Sequence, residues 1–190
     1  MSMSRTPVQV RPARTTDARA LRELWADVLR RGTPQEQMAD LERLILDCAD
    51  REDRYLAVAE LDGQVAGAVF LHNTTLTQLN LEPTVLAVSP HVLPEFRRRG
   101  VGTALMDAAT RFAELQGVAT VATAAAASSR DANRFMARLS FTPQATLRAA
   151  ATSAVRAKLS SRRSSTRQRG SRQVDKVLAA RRMGRENVAS

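Results

Sequence analysis

Arginine and glycine are concentrated in one short segment, Arg97-Arg98-Arg99-Gly100-Val101-Gly102-Thr103, which leads into a long helical pattern. Glycine has no Cβ, so the backbone at Gly100 and Gly102 can adopt unusual dihedral angles and approach a ligand closely. The first N–H groups of a helix have no intrahelical partner, and the positive end of the helix dipole lies behind them. The segment therefore predicts an anion site suited to a pyrophosphate, with Arg97–Arg99 adding positive charge beside it.

Two other phosphate-binding motifs do not match this segment. A Walker loop requires a lysine, and the chain has none before Lys158. A dinucleotide-binding fingerprint requires a third glycine, where this chain has Leu105. The alternative without a ligand is a glycine-rich helix start beside a solvated basic patch, and the two glycines alone do not decide between these interpretations.

The elements that must position this segment follow from hydrophobic periodicity. Strands are expected at residues 8–12, 55–60, 64–73, 84–93, 118–126 and 141–150. Helices are expected from Ala20 to Val28, Pro34 to Cys48, Gly100 to Gln116 and Arg130 to Leu139. This order of elements predicts an α+β or α/β fold with a mixed sheet.

Proline interrupts the strand predicted at residues 84–93. Because Pro90 has no N–H to donate to a neighbouring strand, we expect a bulge or splay near residues 89–91. The preceding segment, Gln78–Pro83, is expected to be a connecting loop. Cys48 falls on the apolar stripe of its helix and is interpreted as a buried, inert thiol.

Two segments resemble motifs of the GNAT-type N-acetyltransferases. HVLPEFRRRGVGTALMDAA resembles motif A, whose core [Q/R]-x-x-G-x-[G/A] corresponds to Arg97–Gly102. Asp131–Phe141 resembles the helix-to-strand segment A-x-x-F-Y-x-x-x-G-F, although Met136 replaces the tyrosine and Ser140 the glycine. The resemblance covers about residues 8–150. It implies a mixed, mostly antiparallel central sheet flanked by helices, and direct transfer of an acetyl group from acetyl-CoA to a small-molecule or peptide amine.

Carried over by position, the resemblance also implies which residues hold acetyl-CoA. The strand edge left open beside Pro90 would pair with the amides of the pantetheine arm, and the N–H of Val92 would polarise the thioester carbonyl. The pyrophosphate would be held chiefly by backbone N–H groups from Arg98 to Thr103. The implied cofactor-binding residues are His91, Val92, Leu93, Arg97, Arg98, Arg99, Gly100, Val101, Gly102 and Thr103.

A general base is required because amine acceptors are mostly protonated near neutral pH. Glu82, Glu95 and His91 are the candidates, and each has a structural alternative: a turn residue, a solvated loop residue and an edge-strand histidine, respectively. Met136 has no proton to give to the leaving thiolate. No covalent enzyme intermediate is implied.

The positive charge of the chain is concentrated near its C-terminus. The 190 residues carry a formal charge of +10, and residues 151–190 hold eleven Lys and Arg against two acids, a net of +9. We therefore divide the chain into a domain at residues 1–150 and a basic, Arg/Ser-rich tail at 151–190. The tail is expected to be disordered at 160–173, with a short helix near 174–182. It could contact nucleic acid, but arginine is the default basic residue of this chain, so a solvated extension is favoured.

Composition excludes several other classes of protein. A single cysteine rules out an intramolecular disulfide framework, and with only His72 and His91 no metal site is expected. No signal peptide or membrane span is evident, so a cytoplasmic protein without membrane contact is expected. Whether the chain forms a homodimer stays open.

The leading hypothesis for the function is an acetyl-CoA-dependent N-acetyltransferase. The alternatives are an acyl-CoA-binding regulatory module with weak or no catalysis, and a nucleic-acid-binding protein that acts through its tail.

Overall fold

The computed structural model describes residues 7–125, 129–145 and 148–161. The chain divides into two compact units, Met1–Thr142 and Pro143–Ser190. In the second unit, residues 152–161 are helical. The helix expected near 174–182 and all but the first two residues of the segment 160–173 lie outside the described residues. The domain boundary at residue 150 stays a prediction.

The first unit combines helices with a five-stranded sheet within its described residues. Its elements are β1 (Gln9–Pro12), α1 (Ala18–Leu24), α2 (Pro34–Ala49), β2 (Arg54–Leu61), β3 (Gln64–Thr77), β4 (Asn80–Val92), α3 (Val101–Leu115), β5 (Val121–Thr123) and α4 (Arg130–Arg138). The sheet order is β1-β2-β3-β4-β5. The first four strands are antiparallel, and β5 runs parallel to β4. The predicted mixed, mostly antiparallel sheet flanked by helices is confirmed.

The two faces of the sheet bury different helices because side chains alternate along each strand. On one face, Leu56 and Val58 of β2 pack with α1 and α2. On the other face, Ala57 and Ala59 of the same strand pack with α3 and part of α4. All four side chains are at most 2% exposed. The sheet is therefore a central layer, and each face carries its own apolar cluster.

A partly buried ion-pair network fixes the start of α1 against the sheet. The Arg11 guanidinium donates to both carboxylate oxygens of Asp17, at 2.7 and 3.0 Å, and to Glu60 at 2.5 Å. Burial raises the pKa of the Asp17 carboxyl, but hydrogen bonds from Arg11 and from the Arg14 N–H outweigh burial and bring that pKa below its ordinary value. The network thus joins β1, β2 and the turn before α1.

Four sequence-based element assignments need correction. Gln78–Pro83 is not a connecting loop: the Thr77 hydroxyl accepts from the N–H groups of Leu79 and Asn80, which closes a tight turn, and β4 starts at Asn80. The first helix ends at Leu24, and Val28 is 51% exposed. The strand expected at 118–126 is limited to β5, and no strand forms among the described residues of 141–150. All four assignments followed local propensity, and at Gln78–Pro83 the pairing of Asn80 and Pro83 with β3 overrode it.

No helix among the residues that the structure describes is long and apolar enough to cross a membrane.

Helices α3 and α4 end in the same hydrogen-bonded C-terminal motif. After α3, Gly117 N–H donates to Glu114 O and Val118 N–H to Ala113 O. After α4, Ser140 N–H donates to Ala137 O and Phe141 N–H to Met136 O. In both motifs the residue that reverses the chain has a φ of +66°, a conformation that glycine adopts without steric cost. The chain therefore places glycine in one such motif and a serine, Ser140, in the other.

We predict that Ser140→Gly stabilises the protein by about 1 kcal/mol, since the left-handed backbone is unfavourable for a residue with a Cβ. In a chain of this size, that gain raises Tm by about 2–4 °C. Gly117→Ser is the matched converse: a Cβ at Gly117 would meet nothing within 4 Å, so its effect is conformational and should lower Tm by a similar amount. Thermal denaturation followed by circular dichroism checks both variants, and equal melting temperatures for all three proteins would contradict the prediction.

Candidate functional site

The second half of β4 leaves its neighbour β5. Only Val85–Ala87 of β4 pair with β5 in the described residues, whereas β4 continues to Val92. Within that extension, Phe70 pairs with Val88 and Ala68 with His91, so Ser89 and Pro90 together oppose the single residue between them on β3. This is a β-bulge, and Ser89 has a φ of +46°. The bulge expected from Pro90 is confirmed.

Beyond Ala87, the edge of β4 that faces away from β3 is not paired with β5 in the part of the chain that the structure describes. Leu93 N–H donates to Ala66 O of β3 at 3.0 Å. Because N–H directions alternate along a strand, the N–H of Val92 points away from β3, to the side on which β5 lies. His91 pairs with Ala68, which belongs to the cluster of α1 and α2, so the His91 side chain lies on that face.

Glycine at position 67 lets β3 approach the last residues of β4 closely. A Cβ built on Gly67 would lie 2.5 Å from the carbonyl oxygen of His91 and 3.0 Å from Val101 Cγ1. The pairing partner of Gly67 is Val92. Gly67 is not among the site residues predicted from the sequence, although an isolated glycine within a strand pattern signals close backbone approach.

The segment that follows β4 leads into α3, whose N-terminus has no side-chain cap. A 3₁₀ turn at Pro94–Phe96 leads to Arg98, whose φ is +60°, and to Gly100, the N-cap of α3, whose φ is +92°. No side chain caps this helix start. The first intrahelical bond runs from Ala104 N–H to Gly100 O, so the N–H groups of the three preceding residues, Val101, Gly102 and Thr103, project from the end of the helix.

Two other helices of the same unit, α2 and α4, do have side-chain N-caps. The Thr33 hydroxyl accepts from Glu36 N–H at α2, and the Ser129 hydroxyl accepts from Ala132 N–H at α4. A Cβ at Gly100 would meet nothing within 4 Å, so the space beside this N-cap is open. Uncapped donors, the positive end of the dipole and open space suit an anionic group.

The three arginines of the segment have different surroundings. Arg99 donates to Asp62 in the β2–β3 turn at 2.7 Å, and its guanidinium lies 5.6 Å from the centroid of the Phe96 ring. Phe96 is buried and Arg99 thus fastens the segment to the sheet. Arg97 and Arg98 are exposed beside the helix start. Arg97 and Arg98 are therefore the better placed of the three to meet an anion.

Helix α4 contacts the segment through an aromatic ring. A Cβ at Gly102 would lie 3.3 Å from Phe135 Cζ, so the small residue lets the two helices pack together. Met136, the next residue, is 9% exposed and belongs to the apolar cluster of α3. A thioether donates no proton, so α4 provides no acid at the position where the resemblance implies a tyrosine.

The structure separates the three candidate bases. His91 immediately precedes Val92, and its Nε2 lies 4.0 Å from Asp27 Oδ1. Glu95 is exposed on the 3₁₀ turn between the strand edge and the arginines. Glu82 precedes Val92 by ten residues along β4, roughly 30 Å away, and is not brought to the edge.

Two further features bear on alternative chemistry. Burial raises the pKa of the Cys48 thiol to about 11, so at neutral pH it is protonated and a poor nucleophile. Among the described residues, no group of three or more His, Cys, Asp or Glu side chains is arranged to hold a metal ion.

Comparison with known proteins identifies the family. Residues 18–141 match the acetyltransferase (GNAT) family, and the chain belongs to that family. It is 30% identical over 163 residues to phosphinothricin N-acetyltransferase of Streptomyces viridochromogenes, a match that covers 79% of this chain and 82% of that protein. The family that the two sequence motifs indicate is therefore confirmed.

Solved structures with the same fold include two further acetyltransferases. The aminoglycoside N-acetyltransferase AAC(6')-Iy, in complex with CoA, superposes with a TM-score of 0.65 at 18% identity, over 80% of this chain and 98% of that chain. Glucosamine-6-phosphate N-acetyltransferase from Arabidopsis thaliana superposes with a TM-score of 0.61 at 15% identity, over 77% and 99% of the two chains. At these identities the likeness concerns the fold.

We predict that Gly67→Ala destabilises the protein by about 1–3 kcal/mol, because the added Cβ collides with backbone at His91 and one strand must move. Gly32→Ala is the control, since its nearest neighbours are the side-chain ends of Glu36 and Arg30, which can yield. Urea unfolding should show a lower midpoint for Gly67→Ala and one close to wild type for Gly32→Ala. Wild-type stability of Gly67→Ala would contradict the close approach of β3 to His91.

Proposed function

We propose that this protein is an acetyl-CoA-dependent N-acetyltransferase acting on a small-molecule or peptide amine. The observation that carries the proposal is the joint presence of an open β4 edge and an uncapped α3 start, connected by the single short segment 93–100. Each can bind a different part of one extended thioester donor. Membership of the acetyltransferase family supports the donor class.

The anionic end of acetyl-CoA would lie at the start of α3. The N–H groups of Val101, Gly102 and Thr103 are directed out of the helix, and the exposed Arg97 and Arg98 stand beside them. Charge-assisted hydrogen bonds from such donors to phosphate oxygens are roughly twice as strong as neutral ones. These residues would fix the donor without taking part in the chemistry.

The strand edge would act on the acyl group. The Val92 N–H would donate to the thioester carbonyl, where negative charge develops as the amine attacks, and the backbone of His91 to Leu93 would align the pantetheine arm. A preorganised donor of this kind contributes a few kcal/mol to transition-state stabilisation. Holding the thioester beside the amine adds the proximity contribution.

His91 is our assignment for the general base. Its side chain lies on the α1–α2 face, next to the residue that would hold the carbonyl, with Asp27 at 4.0 Å on its outer side. An amine approaching from that face would meet the imidazole and the thioester together. Glu95 and Glu82 stay predictions from sequence, and only Glu95 lies near the segment.

A second candidate function is an acyl-CoA-binding module with weak catalysis. The buried Met136 favours it, because α4 provides no acid for the leaving thiolate. A thiol-release assay with acetyl-CoA separates the two functions when phosphinothricin, an aminoglycoside and a peptide amine serve as acceptors. Release above background for one acceptor supports the enzyme. Tight CoA binding without release for any acceptor supports the module.

We predict that Thr103→Glu weakens CoA binding at least tenfold without lowering stability. Thr103 is the third residue of α3, where a glutamate can fold back to the uncapped N–H groups and complement the dipole. The same carboxylate repels a pyrophosphate. Isothermal titration with CoA and thermal denaturation measure the two effects.

The control for that experiment is Thr103→Gln, which has the same shape without the charge. Its CoA affinity should stay within a few-fold of wild type. If the Glu and Gln variants bound CoA equally well, the start of α3 would not be the anion site.

We predict that His91→Gln lowers kcat for the best acceptor about 100-fold, the lower end of what a general base contributes. CoA affinity should stay near wild type, because only the backbone of His91, and not its side chain, would align the pantetheine arm. His72→Gln, at the other histidine of the chain, is the control. His72 lies on β3, beside the Phe70 ring and 3.9 Å from Asp53, and its replacement should leave kcat unchanged. Equal kcat values for both variants would reject His91 as the base.

A further inference from the structure

A tryptophan on α1's side of the sheet holds the bulge of β4. The Trp25 indole N–H donates to the carbonyl oxygen of Ser89 at 2.9 Å. Trp25 is 4% exposed and caps the C-terminus of α1, with its own N–H bonded to Leu21 O. The indole is therefore a fixed donor, anchored in the apolar cluster that α1 and α2 form on the sheet.

The carbonyl that accepts from Trp25 belongs to Ser89, a residue with strained backbone. Ser89 has a φ of +46°, which is unfavourable for any residue with a Cβ, and Pro90 follows it, which further restricts its backbone. Pro90 also lacks an N–H that could fix the bulge from β3. Strained backbone persists only where its surroundings determine it, and the indole hydrogen bond is one such determinant.

From these contacts we infer that Trp25 is a positioning residue for acyl transfer: its hydrogen bond to Ser89 sets where the N–H of Val92 points. Ser89 precedes Val92 by three residues, and Gly67 and the Leu93–Ala66 hydrogen bond fix the far side of the same stretch. The inference rests on the proposed function, since it gives Val92 the thioester carbonyl. Trp25 itself need touch neither donor nor acceptor.

The indole acts at a different place from the anion site. The start of α3 lies on the opposite face of the sheet and is fastened by Arg99 and Asp62. Removing the indole N–H should therefore weaken the hydrogen bond from Val92 to the thioester carbonyl and slow acyl transfer. The affinity for CoA should not change. If the tryptophan only filled the core, its replacement would not change the rate of acyl transfer while leaving CoA affinity intact.

The test replaces Trp25 by phenylalanine, which keeps an aromatic ring in the cluster and removes the donor. The carbonyl stretch of bound ¹³C-acetyl-CoA is recorded by difference infrared spectroscopy, a measurement that requires no acceptor. In wild type, the stretch should fall below its value in water because the Val92 N–H donates to the carbonyl. In Trp25→Phe the stretching frequency should rise again toward its value in water, because the hydrogen bond to the carbonyl is weaker. The Kd for CoA should stay within twofold of wild type, and kcat should fall about tenfold.

Leu24→Val is the matched control, because it removes apolar volume from the same cluster without touching the hydrogen bond. It should lower Tm but leave the carbonyl stretch at the wild-type value. A wild-type stretch in Trp25→Phe, or loss of CoA binding in that variant, would overturn the inference. Absence of acetyl-CoA binding by the wild-type protein would instead reject the proposed function.

Discussion

The separation of β4 from β5 is the constraint on which the rest of the site depends. Two parallel strands that stayed paired to the end would satisfy every backbone group between them and leave nothing for a ligand. Pairing stops after Ala87, and the bulge at Ser89 and Pro90 turns the remaining strand. The unpaired backbone groups of that edge are the donors and acceptors that, under the proposed function, would bind the pantetheine arm.

The helices on the two faces of the sheet contribute different features beside that edge. On one face, α3 packs on the sheet, and its uncapped N-terminus follows the edge after one short segment. On the other face, α1 fixes the bulge through Trp25, and His91 points toward Asp27. Under the proposed function, anion binding and proton transfer would therefore occur on opposite faces of one sheet, each at a different part of the donor and acceptor.

Positive φ values show how the chain distributes its glycines. Gly100 has the left-handed conformation at a point where the space beside it is open, so a side chain would both strain the backbone and narrow the site. Ser140 and Ser89 have similar conformations but carry a Cβ. At Ser140 nothing in the proposed chemistry requires the strain. At Ser89 the strain accompanies the bulge, and a buried indole holds it.

The sequence by itself determined the helix start at Gly100 and the bulge at Pro90, because both follow from backbone chemistry that a single residue type imposes. It also indicated the family, since the arginine–glycine segment and the α4 segment are local patterns. Only the tertiary structure decided that Trp25 reaches Ser89 and that Gly67 faces His91, because these pairs are 64 and 24 residues apart and depend on strand register. Strand pairing also decided that Gln78–Pro83 is not a loop and that Glu82 lies far from Val92, which local propensity cannot foresee.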